Sequence, residues 1–110
     1  MSILQDVLLD EYERLKSLAQ WYVKEISSLP KGSISIKKRR DREYLYINYR
    51  EKNKVKSNYV GLVSSEKAVE IANKIKQRKK FEKELKVVKR DLKELERALY
   101  AKKNMNWFQK

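Results

Sequence analysis

Proline and glycine are almost missing from this chain of 110 residues: Pro30, Gly32 and Gly61 are the only three. A chain so short of turn formers is confined to long regular elements with few connections. The three breakers also bracket residues 33–61, SISIKKRRDREYLYINYREKNKVKSNYVG, where the pattern differs from everything around it. Pro30 cannot continue a helix and biases Leu29 away from helical dihedrals, while Gly32 permits the turn into the next element.

Inside the bracket the pattern is that of strands. Ile34 and Ile36 alternate with Ser33, Ser35 and Lys37, which predicts a half-buried strand over Ser33–Arg39. Arg40-Asp41-Arg42 forms the first turn. The second strand, near Glu43–Arg50, is the most β-prone stretch of the chain. Tyr44, Tyr46, Asn48 and Arg50 share one of its faces, and Leu45, Ile47 and Tyr49 share the other. The second face is the more apolar, so it is expected to pack on helices and leave the first outward. Glu51-Lys52-Asn53-Lys54 is the second turn, with Asn53 suited to a left-handed conformation. A third strand runs near Val55–Val60 and ends at Gly61. Connections this short make an antiparallel meander.

The flanks read as helices. Over residues 2–28, Leu4, Leu8, Leu15, Leu18, Tyr22 and Ile26 recur at helical spacing, continued by Leu29 and widened by Ile3, Val7, Ala19 and Trp21. Ser2 and Gln5 fit a capping box, and Asp6 suits the positive end of the macrodipole. Ser64 or Ser65 caps a second helix over 64–103, with Glu66 in its first turn. Ala68, Ile71, Ile75, Phe81, Leu85, Val88, Leu92, Leu95 and Leu99 form a near-heptad seam, interrupted at residues 74–80, KIKQRKK. The expected fold is one α+β domain over 1–110, in the order α-β-β-β-α. A long antiparallel, coiled-coil-like helical hairpin carries the three-stranded meander at one end, and residues 104–110 form a tail. The second helix comes out roughly 17 Å longer than the first. Its surplus, with Leu92, Leu95, Leu99 and Tyr100, needs a partner surface. Either the tail with Trp107 and Phe108 folds back, or a homodimer forms through the C-terminal half of this helix.

Charge is unevenly placed. The chain carries 28 Lys and Arg against 15 Asp and Glu, a formal net charge of +13. Residues 1–29 hold three bases and five acids, residues 31–61 ten and three, and residues 62–110 fifteen and seven. The sheet and the second helix are therefore the positive parts, and such charge points to polyanionic partners. The candidate nucleic-acid contacts on the sheet are Lys37, Arg39, Arg40, Arg42, Tyr44, Tyr46, Asn48, Arg50, Lys52, Lys54 and Lys56. Lysine and arginine neutralise phosphates, tyrosine rings stack on exposed bases, and Asn48 and Arg50 carry the donors to read base edges. Lys76, Arg78, Lys79 and Lys80, early in the second helix, would extend the same positive surface. The competing reading is structural: strands favour tyrosine, and edge strands use lysine against aggregation.

There is no cysteine and no histidine. That removes the thiolate metal site, the commonest general acid/base and the commonest metal ligand. No glycine-rich phosphate loop, nucleophile–base pair or metal-spaced carboxylate pair is present, so neither an enzyme, a metal nor a cofactor is expected. The first residues, MSILQDVLLDEY, lack a signal-peptide pattern, and no stretch approaches a membrane span. The expectation is a cytoplasmic protein with no membrane partner.

The segments LPKGSISIKK and EYLYINYREKNKVKSNYVG resemble a family of short bacterial, archaeal and phage proteins without an established activity. In that family a Leu-Pro-Lys-Gly-Ser stretch leads into a tyrosine-rich hairpin, then Tyr-Arg-Glu, Lys-Val-Lys-Ser and Tyr-x-Gly, followed by a long charged helix. Here these are Leu29–Ser33, Tyr44 and Tyr46, Tyr49–Glu51, Lys54–Ser57 and Tyr59–Gly61. The resemblance implies the architecture and a bacterial, archaeal or phage-infected cell. Family hairpin turns hold glycine where this chain has Arg-Asp-Arg and Lys-Asn, which implies longer or looser turns here. The strand segment is also similar to the three-stranded arm-binding domains of tyrosine recombinases, which implies DNA binding by a sheet; no recombinase catalytic residues accompany it.

The expected function is that of a small basic accessory protein that binds DNA or RNA. A second reading is a phage-type inhibitor or regulator of a nucleic-acid-processing enzyme, for example an RNA-guided nuclease, acting through protein contacts. A third is a coiled-coil adaptor.

Overall fold

The computed structural model describes residues 3–108, with side chains as far as Tyr100. Its elements are α1 (Ile3–Ser28), β1 (Ser33–Arg39), β2 (Arg42–Glu51), β3 (Lys54–Leu62) and α2 (Glu66–Phe108). This is the expected α+β order. α2 runs unbroken through residues 74–80 and takes in residues 104–108, expected as tail. Ser2 and the side chains of Trp107 and Phe108 lie outside the described residues. Among the described residues no helix is long and apolar enough to cross a membrane.

The chain divides into two compact units, Met1–Glu25 with Phe81–Lys110, and Ile26–Lys80. The first is a pair of helical segments. Tyr12 Oη donates to Glu96 Oε1 at 3.0 Å, and Tyr22 Oη donates to Glu84 Oε2 at 2.5 Å. Later residues of α1 thus meet earlier residues of α2, so the pairing is antiparallel. Leu15 and Val88 are buried, and Trp21, Tyr22 and Phe81 pack ring against ring with centroids 5.2–5.6 Å apart. Fully burying one leucine contributes about 1.5–3 kcal/mol. Ile3, Leu4 and Val7 stand exposed, outside the seam the spacing gave them.

This pairing corrects the expected surplus. Its register sets Leu92 level with Leu15 and Leu99 level with Leu8, and Leu92, Leu95 and Leu99 are already half-buried within the single chain. Tyr100 remains exposed. The extra length of α2 is spent at its other end, where residues 66–80 belong with the sheet.

In the second unit the strands lie in the order β1-β2-β3, both pairs antiparallel. Both hairpins close over two residues, Arg40-Asp41 and Lys52-Asn53, so the turns are tight without glycine. Lys52 and Asn53 take φ of 49° and 66°, the left-handed pair of a type I′ turn, and Arg40 takes φ 58°. The register set by the second turn puts Tyr46 opposite Tyr59, and a bulge between Leu45 and Tyr46 then shifts it by one residue, so that Leu45 faces Gly61. Leu45, Ala68 and Ile75 are the buried centre, where the apolar face of the sheet meets the first turns of α2. Ser65 caps α2: its hydroxyl accepts from the Ala68 amide at 3.2 Å and donates to the Leu62 carbonyl at 2.7 Å.

Arg78 explains the gap in the seam. Its Nη1 donates to the Ile26 carbonyl at 2.8 Å and the Leu29 carbonyl at 2.6 Å. These carbonyls belong to the end of α1, where the macrodipole is negative and backbone acceptors lack partners. The interruption marks the place where the stripe changes from packing leucines to capping a helix.

Candidate nucleic-acid interface

Strand pairing decides which side chains share a face, because directly opposed residues project to the same side. Ser35 opposes Tyr46, Lys37 opposes Tyr44, and Arg39 opposes Arg42. Across the second hairpin Tyr59 opposes Tyr46, Ser57 opposes Asn48 and Val55 opposes Arg50. One face therefore gathers Lys37, Arg39, Arg42, Tyr44, Tyr46, Asn48 and Arg50, as expected.

It also gathers Tyr59, which the sequence reading did not place in the site. The Tyr59 ring lies 5.5 Å from that of Tyr46 and 6.0 Å from that of Tyr44, tilted to both. The signal for it was present: either length of the second turn brings residue 59 opposite residue 46.

Cations ring this aromatic cluster. Lys37 Nζ sits 4.4 Å from the centroid of Tyr46. Arg39, Arg40, Tyr44, Tyr46 and Tyr59 line one open concavity of about 480 Å³. Arg39 and Arg42 are directly opposed at the hairpin mouth. Like charges so placed destabilise a strand pair by a fraction of a kcal/mol unless an anion lies between them.

Other expected contacts lie elsewhere. Lys54 opposes Glu51, and Lys56 opposes Tyr49 and pairs with Glu51 at 3.1 Å, on the face away from the tyrosine cluster. Lys52 is in the second turn. Lys76 lines a groove with Ile34, Ile36 and Leu45 on that same opposite face. Arg78 is engaged with the α1 carbonyls. Lys79 and Lys80 are exposed on α2. The basic start of α2 therefore covers the apolar face of the sheet and does not extend the tyrosine face. Alternation binds these lysines to the wrong side: if Tyr46 and Arg50 face one way, residues 54 and 56 face the other.

Residues 4–70 match the family described as a domain of unknown function, DUF6788. The matched span runs from α1 through all three strands into the first turns of α2. No curated protein and no solved structure matches the chain.

Proposed function

The chain belongs to the DUF6788 family, whose matched span contains the whole sheet, and we propose that this sheet binds nucleic acid. Unpaired bases stack on Tyr44, Tyr46 and Tyr59, and phosphates lie along Arg39, Arg40 and Arg42, in the cytoplasm of the cell. The observation that carries the reading is the shared concavity, where three tyrosines and two arginines meet on one face. Strand propensity accounts for tyrosines one at a time, and edge protection accounts for single lysines. Neither accounts for three rings converging beside a like-charged arginine pair. Tilted, partly open rings suit splayed bases, which favours single strands over an intact duplex.

Fluorescence anisotropy with labelled single-stranded and duplex DNA and RNA tests this. Tyr46→Ala is expected to weaken single-strand binding by about 1–3 kcal/mol, the range for loss of one stacking ring. Lys56→Ala, on the opposite face, is expected to leave it within twofold. Unchanged affinity in a folded Tyr46→Ala, Tyr59→Ala double variant would remove the tyrosine face from the site.

A further inference from the structure

The other face of the sheet holds a second feature that the tyrosine site does not use. In a two-residue hairpin the residues flanking the turn exchange hydrogen bonds, and pairs alternate from there. Arg39 and Arg42 flank the first turn, so Lys37 and Ser35 also bond to β2. The backbone groups of Ile34, Ile36 and Lys38 then point away from the sheet. β1 is an edge strand, and among the described residues no backbone hydrogen bond reaches those groups from elsewhere. Their side chains fall on the helix side. Beside this edge lies a mostly apolar groove of about 300 Å³, with Ile34 and Ile36 on one wall and Val69, Ala72, Asn73 and Lys76 of α2 on the other. Ile36 is 54% and Val69 47% exposed, so two large aliphatic side chains stand open at its mouth.

We propose that the free edge of β1 and this groove receive an extended acidic peptide segment of a partner protein, added as a fourth strand. The backbone of Ile34, Ile36 and Lys38 supplies the ladder. Alternate side chains of the incoming strand drop into the groove, as strand addition requires. The partner's charge follows from the lining. Among the described residues Lys76 is the one charged side chain that lines the groove and no carboxylate lines it; Lys38 projects on the same side, directly opposite Glu43. A second copy of this chain is the poorer occupant. Its β1, SISIKKR, brings Lys37, Lys38 and Arg39 and no acid to set against Lys76.

The test uses the full chain and a fluorescent peptide with isoleucine, glutamate and valine at alternate positions and serine between them, so that one face of the strand carries both the aliphatic and the acidic side chains, beside its lysine counterpart. The acidic peptide is expected to bind saturably at physiological salt and to protect the Ile34, Ile36 and Lys38 amides from hydrogen exchange. Ile36→Pro removes an outward amide, a position where an edge strand tolerates proline, and is expected to weaken binding about tenfold or more. Val69→Lys, on the helix wall, should act likewise and stands in if the proline variant fails to fold. Tyr46→Ala should leave peptide binding unchanged. Equal binding of the lysine peptide, absence of binding, or binding that survives both groove variants but not Tyr46→Ala would overturn the proposal.

Discussion

A Cβ on Gly32 would lie 2.7 Å from Ile47 Cγ2 and 2.8 Å from the Asn48 carbonyl oxygen, and its φ is 126°. Both obstacles sit in the central strand, and one is backbone, so neither yields cheaply. Gly32→Ala is expected to cost about 2–3 kcal/mol in urea unfolding. Arg78 is a different case, because its charge looks available for a ligand and its geometry says otherwise. Arg78→Met keeps the packing of the side-chain stem and loses both carbonyl contacts. A loss of about 1–3 kcal/mol of stability is expected, with oligonucleotide affinity and its salt dependence unchanged. A drop in affinity with normal stability would return Arg78 to the binding surface.

At the scale of elements, the pairing of α1 with α2 is held partly by two tyrosine hydroxyls on glutamates. Tyr12 and Tyr22 both have their pKa raised above the ordinary 10.0, first because each donates a hydrogen bond to a carboxylate, Glu96 and Glu84 respectively. A folded-state pKa raised above the unfolded value gives stability that is complete below the unfolded pKa and lost as pH rises through the folded one. The wild type should therefore melt above a Tyr12→Phe, Tyr22→Phe variant at neutral pH, and the difference should close on alkaline titration beyond about pH 10. A constant gap at all pH values would mean the hydroxyls do not carry the contact. These elements were largely legible in the sequence, since Pro30 and Gly32 end one helix and period-two alternation sets β2. What was not legible is what faces what. The interruption at residues 74–80 looks the same whether it solvates a helix, binds phosphate or caps α1. Only the tertiary position of Ile26 and Leu29 selects the third for Arg78. The leucines at 92, 95 and 99 looked unspent because both helices were counted from the sheet outward. Sequence could not say that the sheet's apolar face consumes the first turns of α2.

For the molecule as a whole, the formal net charge of +13 is a poor guide to how many cations meet a ligand. The sheet divides them. Lys37, Arg39, Arg42 and Arg50 lie on the tyrosine face and Arg40 lines its concavity, whereas Lys54, Lys56 and Lys76 lie on the other side. Five cations on a single strand, at about 0.7 released counterion each, give a slope of log affinity against log salt of ~−3.5. Titrating single-strand affinity against salt measures this directly. Removing Arg39 should flatten the slope by ~0.7, while removing Lys54 or Lys79 should leave it alone. A slope near twice that size, flattened by loss of Lys79 or Lys80, would instead bring α2 into the interface. The same titration separates site from background: attraction to the chain's overall charge falls with salt whichever lysine is removed, and only a located site makes the fall depend on which one.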